Sequence, residues 1–249
     1  MNDKTASIRG KSGLAAYVFA TLSFVIGASS LIVFTFFLYL GSLHVTELGL
    51  GITQILVLDT CLCLAFFFQH SGMIRKRTRR WMSRLIPGHY SGAVFSVVSG
   101  IALLTLVILW QESTVVLASV DGIYRVALRA LFFLAVAGQV WGTWSLKSAD
   151  LFGTAAVLRD QATKKPPPPI VIRGPYRWVR HPLYLTTLLM FWSHPDLTAD
   201  RLLFNVLFTV WIIAGTVLEE HDLVEIYGDG YREYQRSVPM LIPYRKPSA

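Results

Sequence analysis

Long apolar runs alternate along the chain with short polar stretches rich in Arg and Lys. No charged side chain occurs from Ser12 to Thr46, nor from Leu85 to Gln111. A helix needs about 20 mostly apolar residues to cross the hydrocarbon of a bilayer. The pattern predicts six apolar segments: Leu14–Leu43, Leu50–Met73 (interrupted by Asp59), Tyr90–Trp110, Tyr124–Leu146, Leu183–Trp192 and Leu202–Leu218. The first is long enough to tilt or to extend past the lipid. The fifth is too short for a full crossing. His194-Pro195-Asp196, between the fifth and sixth, is a turn signal, so these two are expected as a helical hairpin with one shallow arm. The predicted fold class is all-α, a polytopic membrane helix bundle of five to six segments.

Composition agrees with this picture. Of 249 residues, 53% are hydrophobic and 15% charged, against about 25% charged in soluble domains, and the mean hydropathy is +0.50. This excludes a disordered chain and argues strongly against a soluble globule. Met1–Gly13 is polar and no small-residue cleavage site follows a short apolar core, so the first segment is expected as a retained span rather than a removed signal peptide.

Net charge is +8, and its distribution matters more than its size. With the N-terminus placed inside, 20 of the 23 Lys and Arg fall on inside stretches, leaving only Arg125, Arg129 and Arg201 near the outside. This positive-inside pattern predicts both termini in the cytoplasm. The basic run Arg75–Arg80 is expected to anchor its loop to anionic membrane lipids. No nucleic-acid partner is expected, because no recognition fold accompanies the charge. The longest polar stretches, Arg75–His89, Lys147–Pro182 and Glu219–Ala249, share the cytoplasmic side, where the chemistry is expected. Two domains follow: 1–146, N-terminal transmembrane helices, and 147–249, a C-terminal core with the helical hairpin. Nothing in the pattern sets an oligomeric state.

The two cysteines, Cys61 and Cys63, point about 200° apart on a helix and cannot pair with each other. A lone C-x-C is no zinc framework, and the histidines lack H-E-x-x-H spacing, so no metal is expected. Asp59, Cys63, Phe67 and His70 share one helix face. An ionisable group inside a span faces the bundle interior. Asp59 either pairs with Arg125 or Arg129 or lines a cavity, and it lies about 16 Å from His70 along the helix.

Pro166–Pro169 is expected as a stiff extended connector. Pro182 suits the first position of the next helix, which puts Arg180 and His181 at a helix N-terminus at the membrane surface. Two cations and free backbone N–H groups there would attract a carboxylate or phosphate; a snorkelling basic border is the other reading. At the end of the sixth segment stand Glu219-Glu220-His221-Asp222, then Tyr227, Gly228, Tyr231 and Tyr234. The carboxylates could bind an ammonium group or form a solvated helix border. Val238–Pro243 reads as a lid or a strip on the bundle. Cations, carboxylates and aromatic rings together suit S-adenosylmethionine, whose sulfonium favours aromatic faces. No G-x-G-x-x-G follows a strand, so a Rossmann cofactor site is excluded.

Gly174-Pro175-Tyr176-Arg177, Arg180-His181-Pro182 and Tyr184, followed by Glu219-Glu220, Leu223, Tyr227-Gly228, Tyr231, Tyr234, Val238-Pro239 and Ile242-Pro243, resemble the membrane methyltransferase superfamily. That superfamily includes isoprenylcysteine carboxyl methyltransferases and phospholipid methyltransferases. Phe68–Arg75, Trp81 and Ile86-Pro87 are similar to the nitric-oxide-response membrane proteins of the NnrU type. Asp150–Gly153, Phe191-Trp192 and Leu202–Phe204 look like the methanethiol S-methyltransferases within that group. Thr186 stands where the family often has Gly.

The resemblance implies an enzyme of the bacterial inner membrane, with a C-terminal cytoplasmic cofactor-binding region for S-adenosylmethionine. It would methylate a small thiol, converting methanethiol to dimethyl sulfide. Arg180, His181, Tyr184, Glu219, Glu220, Tyr231 and Tyr234 are then the expected cofactor residues, with His70 and Ser71 nearer the acceptor. A thiol of ordinary pKa is largely protonated at pH 7. His70, His181 or a water held by Glu220 are the candidate catalytic bases, in that order. The alternatives are a prenylcysteine-like carboxyl or phospholipid amine acceptor, and an NnrU-like accessory protein of nitrogen-oxide metabolism. Membrane sterol reductases share Arg-His-Pro, but Leu183-Tyr184 and Thr186-Thr187 depart from their pattern.

Overall fold

The computed structural model describes residues 3–146, 150–159 and 169–246, with side chains from residue 13 onward except at Lys76 and Arg79. Apart from Pro169, the expected proline connector lies outside the described residues. The helices are α1 (Asp3–Leu40), α2 (Ile52–Ile74), α3 (Lys76–Met82), α4 (Ser91–Leu109), α5 (Gly122–Ser145), α6 (Thr154–Leu158), α7 (Pro182–Trp192), α8 (Ala199–Tyr227) and α9 (Asp229–Ser237). Two short strands, β1 (Val116–Ser119) and β2 (Asp196–Thr198), and two 3-10 turns, Gly88–Tyr90 and Gly174–Arg177, complete the described elements.

Five helical stretches are long and apolar enough to cross a membrane: Gly13–Leu40, Ile52–Ile74, Gly88–Leu109, Gly122–Ser145 and Ala199–Tyr227. Pro182–Trp192 is the shorter apolar sixth. The protein is thus an all-α, multi-pass membrane bundle. The boundaries differ from the hydropathy pattern at two ends. The first helix stops at Leu40, where Gly41 takes a positive φ of 99°. The last long helix runs through Glu219–Asp222 to Tyr227, because loss of hydropathy does not itself break a helix.

The link between α7 and α8 is more than a turn. Asp196–Thr198 pairs antiparallel with Val116–Ser119, with Val116 opposite Thr198 and Ser119 opposite Asp196 and a bulge between Val116 and Ala118. Arg125 grips Asp196 with both terminal nitrogens, at 2.9 and 2.6 Å.

The chain forms two compact units. One comprises the described parts of Met1–Phe37, Leu64–Trp110 and Asp150–Lys165. Small residues bring its helices close: Ala20, Ala93 and Val157 form a buried cluster, flanked by Ala16, Phe19 and Tyr90. Ser23 Oγ lies 2.5 Å from the carbonyl oxygen of Phe152 and 3.3 Å from that of Ala93.

The other unit comprises Leu38–Cys63, Gln111–Ala149 and Pro166–Ala249, in its described parts. Asp59 is fully buried there, and its Oδ1 accepts the Gln111 backbone N–H at 3.2 Å. It pairs with neither expected arginine: Arg125 is held by Asp196, and the Arg129 guanidinium sits 4.2 Å from the centre of the Tyr39 ring. Helices α5 and α7 approach through Gly138 and Gly142, a small-x-x-x-small spacing that lets membrane helices touch backbone to side chain. A Cβ at Gly138 would stand 2.6 Å from Thr186 Cγ2. Gln139 fastens the same contact. Its Oε1 accepts from Thr186 Oγ1 at 2.9 Å, and its Nε2 donates to Thr187 Oγ1 at 3.0 Å.

This packing fixes α7, and with it the residues at its N-terminus. Gly138→Ala is expected to destabilise the detergent-solubilised protein by about 1–3 kcal/mol, the usual cost of overpacking, read as a lower thermal midpoint. Adding Thr186→Ser, which removes the clashing methyl and keeps the hydroxyl for Gln139, should recover most of that loss.

Candidate active site

Three segments of the second unit meet at one carboxylate. Pro175 opens the short 3-10 turn Gly174–Arg177, and Pro182 begins α7. Between them Arg180 and His181 are extended enough to pair with the chain end: their backbone N–H groups donate to the carbonyls of Pro239 (2.9 Å) and Met240 (3.1 Å). The second segment is the end of α8, carrying Glu219 and Glu220. The third is α9, which returns along α8 after Gly228. That glycine has φ 60° and ψ −131°, a conformation essentially reserved for residues without a Cβ.

Glu220 is buried, and both its oxygens are engaged. Oε1 accepts from Arg180 Nε (3.0 Å), His181 Nε2 (2.6 Å) and Tyr231 Oη (2.7 Å). Oε2 accepts from Arg180 Nη2 (2.7 Å) and Gln235 Nε2 (2.7 Å). A carboxylate has about four lone-pair sites, so Glu220 is saturated by the protein, unlike a group that holds a catalytic water. Arg180 Nη1 turns to the carbonyls of Gln235 (3.1 Å) and Val238. The guanidinium therefore faces inward as well.

Glu219, one position earlier, is half-exposed. Its Oε2 accepts from Tyr184 Oη at 2.6 Å and stands 3.9 Å from His181 Nδ1. The Tyr184 and His181 rings stack nearly parallel, 5.4 Å apart. Because a carboxylate only accepts, His181 Nε2 carries the proton toward Glu220, and in the neutral ring Nδ1 is left as an acceptor. Tyr234 donates to the Tyr176 carbonyl at 2.6 Å and packs with Tyr231 and Val238 in a buried cluster. Val238 and Pro239 are buried, whereas Ile242 is 71% exposed, so only the start of the Pro-bounded strip docks.

Burial and the charge of Glu220 raise the Tyr231 phenol above its usual range, and burial raises that of Tyr234. Burial, aided by Glu219, pushes Tyr176 up to about 12. All three are neutral hydrogen-bond donors at physiological pH.

Arg180, His181, Tyr184, Glu219, Glu220, Tyr231 and Tyr234 thus come together. His70 and Ser71 belong to the other unit, where both are half-buried and the His70 ring packs against Phe66 (5.4 Å) and Phe95 (4.9 Å). Gln235 was not among the expected residues. Its spacing of four from Tyr231, on the same face of a short helix, was the available signal. Among the described residues, no three His, Cys, Asp or Glu side chains gather as metal ligands would.

The phospholipid methyltransferase family matches residues 121–230, which include the second short strand, α7 and both glutamates. Together with the five apolar helices, this defines the class: an integral membrane methyltransferase. A methanethiol S-methyltransferase of Pseudomonas sp. (strain GM41(2012)) is 39% identical over 79% of this chain and 77% of its own length. One of Mycobacterium tuberculosis is 36% identical over 78% of this chain and 80% of its own. Methanethiol S-methyltransferase 1 of Bradyrhizobium diazoefficiens is 30% identical over 94% and 81%. The chain belongs to the methanethiol S-methyltransferase family. No solved structure matches it.

The two glutamates should separate in stability measurements. Glu220→Ala strands a buried guanidinium and should cost about 3–5 kcal/mol, seen as a clear drop in thermal midpoint. Glu219→Gln should stay within about 0.5 kcal/mol, as surface changes do. The tyrosines make an alkaline prediction. A group whose folded pKa is raised stabilises the fold below its ordinary pKa, and that contribution is lost as pH rises through the folded value. Stability should therefore fall above about pH 10. Phenolate absorbance should show a late-titrating fraction that shrinks in Tyr176→Phe, Tyr231→Phe and Tyr234→Phe.

Proposed function

We propose that the chain methylates methanethiol to dimethyl sulfide with S-adenosylmethionine as methyl donor. The donor site, in the C-terminal region 147–249, faces the cytoplasm of the bacterial inner membrane, as do both termini. The observation that carries the reading is the extended similarity to relatives named for that activity, over most of both chains.

The site's donor set fits the cofactor. Glu219 is a half-exposed carboxylate with acceptor capacity left for an ammonium, Tyr184 and His181 offer stacked ring faces beside it, and the first turn of α7 offers backbone N–H groups to a carboxylate. S-adenosylmethionine supplies, when bound, a methyl group on a sulfonium that is already an activated leaving group. Glu219 would hold the ammonium, and Tyr184 steadies Glu219. Arg180, Tyr231 and Glu220 keep the His181 ring in one tautomer with Nδ1 open. His181 Nδ1 would take the proton of the thiol, and holding that sulfur beside the bound donor would be a positioning task above all. His70 and Ser71 are assigned to the acceptor side on the strength of the family resemblance. The phospholipid methyltransferase match supports one other acceptor, a phospholipid amine.

Purified protein in detergent, given S-adenosylmethionine and methanethiol, should form dimethyl sulfide and S-adenosylhomocysteine in equal amounts. His181→Ala should lower kcat about 100-fold or more, within the range of general-base contributions. Turnover only with a phosphatidylethanolamine acceptor would replace the thiol. Absence of both turnover and S-adenosylmethionine binding would sink the reading.

A further inference from the structure

We propose that Gln235 is a positioning residue of the methyl-donor site, acting on His181 through the carboxylate of Glu220. The proposal rests on the methyltransferase reading above for its consequence, and on three contacts for its geometry. Gln235 Nε2 donates to Glu220 Oε2 at 2.7 Å. Gln235's own carbonyl accepts from Arg180 Nη1 at 3.1 Å. Arg180 in turn donates to both oxygens of Glu220. The residue thus closes a ring: amide to carboxylate, carboxylate to guanidinium, guanidinium back to the same residue's main chain.

The ring matters because it is lopsided without Gln235. Oε1 accepts three hydrogen bonds, from Arg180, His181 and Tyr231. Oε2 would keep only the Arg180 Nη2 contact, and a carboxylate so unevenly held can rotate to share Arg180 differently. Rotation moves Oε1 away from His181 Nε2, the hydrogen bond that fixes both the ring's orientation and which nitrogen is left open. Tyr231 and Gln235 stand four residues apart on α9, so one face of a short helix supplies a donor to each oxygen. The half-buried setting of Gln235 makes its amide a stronger influence than it would be in water.

Glutamine, rather than glutamate, is required for a chemical reason. A carboxylate at this position would face Glu220, and two adjacent carboxylates cannot both ionise comfortably. A protonated glutamic acid, however, donates an O–H to Oε2 much as the amide does.

The test uses full-length protein in detergent. Because the His181 ring also flanks the donor, Gln235→Leu should raise the KM for S-adenosylmethionine about 10-fold, in keeping with loss of a hydrogen bond to a charged group, and lower kcat with it, while the KM for methanethiol stays at the wild-type value. Gln235→Glu should approach wild-type donor affinity at acidic pH and lose it as pH rises, a dependence added to whatever profile the wild type shows. A structural role alone would lower the thermal midpoint without creating that pH dependence. In ligand-free protein, the NMR chemical shifts of the His181 ring nitrogens, which report its tautomer, should differ between wild type and Gln235→Leu. A donor KM unchanged in Gln235→Leu, or a wild-type pH profile in Gln235→Glu, would overturn the proposal. Should wild-type protein bind no S-adenosylmethionine, it is the methyltransferase reading that fails, and the His181 nitrogen shifts still decide: a ring in the same tautomer in both proteins refutes the role of Gln235.

Discussion

The ion pair between Arg180 and Glu220 is the constraint around which the second unit is built. Both side chains are 9% exposed, and withdrawing two charges from water costs several kcal/mol per ion. Attraction between them offsets that cost only when the remaining donors and lone pairs are also used. The neighbours are therefore not free to vary. His181, Tyr231 and Gln235 must bring donors to the carboxylate, and two main-chain carbonyls must face the guanidinium. Residues far apart in sequence are drawn to one point, and the chain must bend to let them arrive. The turn at Gly228 and the docking of Val238–Met240 against the residues before α7 follow from that requirement.

Two adjacent glutamates acquire different characters from helix geometry alone. Successive positions on a helix point about 100° apart, so when Glu220 faces α9 and the chain before α7, Glu219 faces outward. Glu220 is satisfied internally and holds its surroundings. Glu219 keeps acceptor capacity, steadied by Tyr184. One carboxylate organises and the other is available to a ligand, although composition treats them alike.

Much of this was legible in the chain. Hydropathy marked the spans, because about 20 apolar residues in a row have few other uses. The Arg-His-Pro and Glu-Glu segments with their tyrosines marked the site through residue type and order. The strands at Val116–Ser119 and Asp196–Thr198 were not legible, being too short for alternation to register. The length of α8 was missed for another reason: hydropathy reports lipid contact, whereas the helix continues on its hydrogen bonds through Glu219–Asp222 until Gly228 ends it. The fate of Asp59 turned on a backbone N–H, that of Gln111, which side-chain complementarity with Arg125 or Arg129 could not reveal. Gln235 escaped notice because its one signal, a spacing of four from Tyr231, points to no chemistry in an uncharged amide until its partner is known.

On the proposed orientation the three carboxylates at the end of α8, Glu219, Glu220 and Asp222, fall on the cytoplasmic side with most of the Lys and Arg, and the rule behind that orientation allows it. Orientation follows the distribution of Lys and Arg, with Asp and Glu contributing little, so carboxylates can be concentrated on that face without disturbing topology. Pairing extends the argument. Arg180 is one of the basics counted toward orientation, yet its charge is balanced locally by Glu220 and withdrawn from water. On that orientation the +8 excess divides into residues that would hold the chain's topology and a residue that is paired within the site. The apolar helices serve the second group as much as the first: α5, through Gly138 and Gly142, fixes where α7 begins, and the start of α7 fixes where Arg180 and His181 can stand.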